Sequence, residues 1–182
     1  MKINLLFISL FMLISINASA SDHEKVVLKE GINMMDVNGD GFKDIVIYAK
    51  FDNNTSHPSN TMTIFIKNKN GEYNIVPVPS DAGFSWFDFS LSASTIKITG
   101  YELYKKAHGY FVISAYKLTG KENGEDVSDD LPVKFSRYDI KINNESPGAA
   151  LFYWDLTKVY VTHKKYSDID EAFNHLNVGV LK

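Results

Sequence analysis

Residues 44–51 read DIVIYAKF and residues 61–68 read TMTIFIKN, and these two stretches decide the fold class. In the second stretch, Met62, Ile64 and Ile66 occupy every second position, which is the period of a β-strand with one buried face. In the first stretch both alternating sets are largely apolar, which predicts a strand in the middle of a sheet. The two stretches therefore predict neighbouring β-strands.

A hairpin follows the second strand. Lys69-Asn70-Gly71 forms a turn in which the glycine supplies a positive φ, and residues 73–78 have a strand pattern again. Pro77 and Pro79 cannot donate a backbone hydrogen bond, so we expect the returning strand to lie at a sheet edge or to end there.

The strand period recurs along most of the remaining chain. The further predicted strands are 25–29, 86–91, 94–100, 109–118, 132–143 and 150–163, with a polar loop at 120–130. Only the C-terminus predicts a helix, in which Ser167 is the expected N-cap and Ile169, Ala172, Phe173 and Leu176 fall at helical spacing. The sequence therefore predicts a mainly β fold, a single antiparallel β-sandwich-like domain with a short C-terminal helix.

Residues 1–20 have the pattern of a secretory signal peptide. Lys2 gives a short basic start, residues 3–16 are almost wholly apolar, and Ala18-Ser19-Ala20 fits a signal-peptidase site. The apolar run is shorter than the roughly 20 residues of a membrane span, although an uncleaved anchor is the alternative. We therefore expect residues 21–182 to form one β-rich domain that is periplasmic or secreted, without a stable membrane anchor.

The composition excludes several kinds of site. The 182-residue chain has no cysteine, which rules out disulfides, thiolate nucleophiles, zinc–thiolate centres and iron–sulfur clusters. Its net charge is −3 and its basic residues are not clustered, which argues against nucleic acid as a partner. Aromatic residues make up 13% of the chain and favour strands.

The most specific motif is the acidic turn, residues 36–44, which read DVNGDGFKD. Side-chain oxygens recur at loop positions one, three, five and nine, and Gly41 stands where a calcium loop turns sharply. The predicted calcium ligands are Asp36, Asn38, Asp40, Phe42 (through its backbone carbonyl) and Asp44. No helix is predicted on either side, and Ile47 replaces the glutamate of an EF-hand, so the loop is of the DxNxDGxxD type that precedes a strand.

Two interpretations of the acidic turn remain open. Calcium is a hard cation that takes six to eight oxygen ligands, and in this loop it would have a structural role. The alternative is a metal-free turn, because Asp, Asn and Gly are also the ordinary residues of tight turns stabilised by Asx hydrogen bonds.

Exported proteins are often hydrolases, and one string in this chain matches a hydrolase motif. Ser94-Thr95-Ile96-Lys97 matches the S-x-x-K string of penicillin-binding proteins, whose serine begins a helix. Here the isoleucines follow a strand period, which predicts Ser94 and Lys97 on opposite faces. No G-x-S-x-G, H-E-x-x-H or H-x-H string occurs. The sequence therefore predicts no catalytic residues and a protein that is not an enzyme, with an unrecognised hydrolase as an alternative.

Residues 31–78 resemble the periplasmic carbapenem self-resistance proteins of the CarG-like family. The resemblance is carried by Gly31-Ile32-Asn33 followed by the acidic turn and the strand to Tyr48, and it continues more weakly over residues 110–138. It implies a protein that protects a cell from a carbapenem without being a β-lactamase.

These observations lead to two hypotheses of function. The first is an exported, non-enzymatic protein that acts by binding either the β-lactam drug or a cell-wall component. The alternative is a calcium-stabilised periplasmic binding or immunity module with a protein partner.

Overall fold

The computed structural model describes residues 23–52, 54, 57–92, 94–120 and 125–182. The predicted signal peptide lies outside these residues. The described strands are β1 (Glu24–Lys25), β2 (Gly31–Met35), β3 (Asp44–Phe51), β4 (Ser59–Lys67), β5 (Tyr73–Ile75), β6 (Trp86–Phe87), β7 (Phe89–Ser90), β8 (Lys97–Lys105), β9 (Tyr110–Lys117), β10 (Leu131–Ile142) and β11 (Phe152–Tyr166). One α-helix, α1 (Ile169–Asn174), follows in the described part of the chain.

The described strands form two antiparallel sheets. The small sheet has the order β2-β3-β4-β5, with β6 also paired to β4. The large sheet has the order β1-β8-β9-β10-β11, with β7 also paired to β8. The mainly β, sandwich-like fold is thus confirmed, and β3 lies inside its sheet as predicted. The hairpin of β4 and β5 is confirmed too, with Gly71 at φ 88° in the connecting turn.

The first hydrophobic core lies between the two sheets. Met62, Ile64 and Ile66 of β4 are at most 1% exposed, which confirms the period seen in the sequence. Side chains of the large sheet pack into the same cluster, among them Leu103, Val112 and Trp154. Burial of these apolar faces is the main stabilising term that holds one sheet on the other.

A second core covers the opposite face of the large sheet. Phe111 and Ile113 alternate with Val112 along β9, so they point away from the small sheet and pack beneath α1. Phe173 of α1 meets Phe135 in an edge contact with ring centroids 5.1 Å apart. The inner strands of the large sheet are therefore covered on both faces, by the small sheet and by the C-terminal segment.

The ends of some elements differ from the prediction. The N-cap of α1 is Asp168 rather than Ser167, because the Asp168 carboxylate accepts a hydrogen bond from Asp170 N at 2.7 Å. Strand β2 was not predicted, since its five residues mix glycine, asparagine and apolar side chains without a clear period. The strand predicted at residues 94–100 begins later, at Lys97, and continues to Lys105.

Asp139 is a buried anion at one end of the large sheet. Its carboxylate accepts a hydrogen bond from Arg137 Nε at 2.9 Å and also pairs with Lys106. Burial alone would raise the pKa of Asp139, but the hydrogen bonds and positive charges of Arg137 and Lys106 outweigh it and lower that pKa. The guanidinium of Arg137 lies 4.0 Å from the ring centroid of Phe111.

Two segments cross from one sheet to the other beside β8. The chain leaves β1 of the large sheet to enter β2 of the small sheet, and it leaves β6 of the small sheet at Asp88 to enter β7 of the large sheet. The edge of β8 between these two crossings is left open over the described residues. Among those residues, no helix has both the length and the apolar character of a membrane span.

Candidate functional site

The acidic turn connects β2 to β3 and is closed by hydrogen bonds to its own backbone. The carboxylate of Asp36 accepts from Gly39 N at 2.9 Å, Asp40 N at 2.9 Å and Gly41 N at 2.8 Å. Asn38 donates its amide to the Asp40 carboxylate at 2.8 Å. The other Asp40 oxygen accepts from Phe42 N at 2.9 Å. These are the Asx contacts expected of such residues in a tight turn.

Asp44 ties the acidic turn to the small sheet. Its side chain is fully buried, and its two oxygens accept from Val37 N at 2.7 Å and Lys67 N at 2.8 Å. Burial raises the pKa of Asp44, while the hydrogen bonds from the Lys67 and Val37 backbone oppose that rise. The residue thus joins the turn, β3 and the end of β4.

The acidic turn also contacts the hairpin between β8 and β9. Tyr110 N donates to Val37 O at 2.8 Å. Gly109 has φ 84°, and a Cβ there would lie 2.6 Å from Val37 O. A side chain at Gly109 would therefore force the two turns apart.

The five predicted calcium ligands all lie within this one loop. Their carboxylates already accept backbone N–H groups, which is the arrangement of the metal-free alternative. Among the described residues, no group of three or more His, Asp or Glu is placed to hold a metal ion. Calcium binding at the acidic turn stays a prediction.

A separate cleft opens at the uncovered edge of β8. Its volume is about 510 Å³, which lies within the range of ligand-binding pockets. The lining comes from the β1 end of the chain, the two crossings, β3, β4, β8 and α1. It consists of Lys25, Val26, Val27, Leu28, Tyr48, Asn60, Asp88, Lys97, Tyr101, Glu102, Leu103, Asp170 and Asn174. The cleft combines apolar walls with a small set of fixed polar groups.

Lys97 and Asp88 form the polar centre of the cleft. Their charged atoms lie 3.2 Å apart, and Lys97 Nζ also contacts Asp170 at 2.9 Å. Asp88 is held from the other side by Asn60, whose backbone N and side-chain amide donate to it at 2.7 and 2.8 Å. Burial alone would lower the pKa of Lys97, but Asp170 and Asp88 outweigh it and raise that pKa. Lys97 therefore stays a cation.

Two tyrosines lie beside this centre. Burial raises the pKa of Tyr48 and of Tyr101, and the negative charge of Asp88 adds to both shifts. Both hydroxyls therefore stay protonated near neutral pH. The Tyr101 hydroxyl is buried and has no hydrogen-bond partner among the described residues.

The chain is similar to proteins of one known family. A family model described as "Carbapenem resistance protein CarG-like" matches residues 28–175. The chain belongs to the CarG-like family. The crystal structure of CarG is 36% identical, with a TM-score of 0.80, and the match covers 87% of this chain and 99% of that one. No curated protein matches the chain.

The CarG-like match includes the acidic turn and almost the whole cleft. Only Lys25, Val26 and Val27 of the cleft lining precede the matched residues. The resemblance noted in the sequence is thereby confirmed at the level of the family.

The cleft itself was not predicted, because its polar residues are far apart in sequence and meet only where two crossings pass β8. Lys97 also belongs to the S-x-x-K string. That motif requires a helix, whereas Lys97 lies in strand β8.

Proposed function

We propose that this CarG-like protein is exported and contributes to carbapenem resistance by binding, without catalysis, either the drug or a cell-wall component. The observation that carries the proposal is the cleft beside β8, in a chain whose family is related to carbapenem resistance. Its walls could enclose a small ligand, while Lys97 offers a cation to a ligand carboxylate.

The surroundings of Ser94 support a role without catalysis. Ser94 Oγ accepts a hydrogen bond from Ile96 N at 3.1 Å, and the serine precedes β8 rather than beginning a helix. Lys97 is engaged with Asp88 and Asp170 instead of with that hydroxyl. A serine nucleophile needs a base within hydrogen-bond reach, and Lys97 is not arranged as one.

The signal-peptide pattern of residues 1–20 supports export. A protein acting in the periplasm would meet the drug before or at the cell-wall machinery. Removing residues 2–20 should therefore abolish protection even if the cells accumulate the folded protein.

The test is expression of the full chain in a carbapenem-susceptible bacterium. We expect the inhibitory concentration of the carbapenem to rise, and purified protein to leave a chromogenic β-lactam intact. The leaderless form is the matched control and should give no protection. An unchanged inhibitory concentration with the full chain would count against the proposal. Turnover of the chromogenic substrate would instead revive the hydrolase alternative.

A second candidate function is a calcium-stabilised periplasmic binding or immunity module with a protein partner. It is supported by the oxygen-rich spacing of the acidic turn. Calcium should then raise the melting temperature by mass action and chelation should lower it. Asp40→Ala should lose this response, whereas Asp126→Ala, in another acidic turn closed by Ser128 N at 2.9 Å, should keep it. If calcium does not change the melting temperature of the unmodified chain, the calcium hypothesis is wrong. If a pull-down recovers no stoichiometric protein, the hypothesis of a protein partner is wrong.

A further inference from the structure

The floor of the cleft is a short stretch of unpaired sheet edge. On this side of β8, the pairs of β1 join Lys25 to Tyr104 and Glu24 to Lys105, while those of β7 reach only Thr99. Val26 N donates to Leu103 O at 2.8 Å, and beyond that point the β1 segment leaves β8. Over the described residues, 100–102 have no strand partner on this side.

The backbone of Tyr101 points into that opening. In an antiparallel strand, the N–H and C=O of one residue face the same neighbour, and successive residues face alternate neighbours. Because Leu103 faces β1, Tyr101 also faces away from β9 and toward the gap between β1 and β7. An exposed donor and acceptor on a sheet edge form a template for an added strand.

Lys97 lies beside this backbone. A Cβ at Gly100 would lie 3.6 Å from Lys97 Cδ, so the lysine stem runs along β8 as far as the residue before Tyr101. Lys97 and Tyr101 line the same cleft. The partner of Lys97 on the cleft wall, Asp170, has a side chain that is 61% exposed. Exposed ion pairs contribute little to stability, so another carboxylate can take the place of Asp170 at small cost. Asp88, fixed by Asn60, stays behind the ammonium.

We propose that the cleft recognises an amide next to a carboxylate. The amide pairs with the Tyr101 backbone by strand addition, and the carboxylate replaces Asp170 on Lys97. This chemistry is shared by a short peptide with a free C-terminal carboxylate and by a bicyclic β-lactam acid. A peptide offers both N–H and C=O to Tyr101, whereas the ring amide of a β-lactam offers only its carbonyl. The inference rests on the proposed function, because it specifies the ligand of the same cleft.

The exchange adds no negative charge next to Lys97. Lys25 pairs with Glu102, and Lys97 with Asp88 and Asp170. A ligand anion that entered the cleft without displacing Asp170 would be repelled by the carboxylates of Glu102, Asp88 and Asp170. An anion that takes the position of Asp170 leaves the charge around Lys97 unchanged, and the exposed Asp170 returns to water.

The test uses the folded chain and three probes: N-acetyl-D-alanyl-D-alanine, its C-terminal amide, and a carbapenem. Backbone amide NMR signals and calorimetric titration report binding. We expect both acids to shift the Tyr101 amide, and the amidated peptide to bind about 10- to 100-fold more weakly, the loss expected for a hydrogen bond to a charged group. Lys97→Met should cause a similar loss. Lys164→Met removes an exposed lysine that pairs with Glu171 outside the cleft, and should change nothing.

Several results would overturn this inference. It fails if neither acid shifts the Tyr101 amide, if the amidated peptide binds equally well, or if Lys97→Met retains full affinity while circular dichroism shows it folded. Binding of only one acid supports the inference and identifies its source. If the chain raises the inhibitory concentration without these shifts, the inference fails and the proposed function stands. If the acids bind but the chain gives no protection, the proposed function fails and the inference stands.

Discussion

Replacing Gly109 by alanine tests how the acidic turn is joined to the large sheet. Gly109 has φ 84°, and a Cβ would lie 2.6 Å from Val37 O and 3.0 Å from Gly39 N. Both neighbours are backbone atoms, which cannot move aside as a flexible side chain would. The substitution should therefore push the acidic turn off the β8–β9 hairpin and break the bond from Tyr110 N to Val37 O.

The expected cost has two parts. A left-handed conformation costs a non-glycine residue about 1–2 kcal/mol, and loss of a backbone hydrogen bond costs about 1 kcal/mol or more. We therefore expect Gly109→Ala to lower the free energy of unfolding by about 3 kcal/mol. Gly71→Ala and Gly148→Ala are matched controls, because each has φ 88° and nothing within 4 Å of the new Cβ. They should lose only about 1–2 kcal/mol.

Urea denaturation of the three variants measures these differences, and amide hydrogen exchange at Tyr110 reports the broken bond. Protection at Tyr110 should fall in Gly109→Ala and stay unchanged in the two controls. If Gly109→Ala lost no more stability than Gly71→Ala, the close packing of the two turns would be refuted.

Three further predictions concern the large sheet and its helix. The folded state favours the ionised form of Asp139, so the stabilisation from this residue is present above the unfolded pKa of about 3.9 and is lost as pH falls through the lower folded pKa. Below pH 4, the free energy of unfolding should therefore fall more steeply with pH in the unmodified chain than in Asp139→Asn. Parallel slopes for the two proteins would contradict this. Phe173→Ala should cost about 3–5 kcal/mol in denaturant unfolding, whereas Phe51→Ala, at a residue 59% exposed, should cost far less. Asp168→Ala should cost about 1–2 kcal/mol by calorimetry, because it removes the helix cap and the acceptor of Lys97 N at 2.8 Å.

Local patterns were sufficient where one strand face is buried along its whole length. The alternation of Met62, Ile64 and Ile66 specifies both the strand and the face that meets the core. The apolar spacing around Phe173 likewise identified the buried face of α1. In β2 the exposure of the side chains follows no regular period. This segment forms a strand because it pairs with the edge of β3, and a local pattern could not predict it.

The cleft could not be predicted from local patterns because its geometry depends on two chain crossings. Asp88 and Lys97 are nine positions apart, yet their contact requires β6 and β7 to belong to different sheets. Asp170 reaches the same lysine only because α1 packs on the large sheet. By contrast, the residues of the acidic turn are contiguous in sequence. The position of the turn and its Asx hydrogen bonds could therefore be predicted from the sequence, whereas metal binding could not.

The positions of these two features separate a structural calcium effect from a functional one. None of the acidic-turn residues lines the cleft, and the turn contacts β9 and β4 through Val37 and Asp44. If calcium binds the turn, chelation should lower the melting temperature by reducing the stability of the folded state. At a temperature where the chain stays folded, however, the affinity of the cleft for its ligand should be unchanged by chelation. Titration of the same acid probe with and without chelator measures this, and a loss of affinity without unfolding would show instead that the turn and the cleft are coupled.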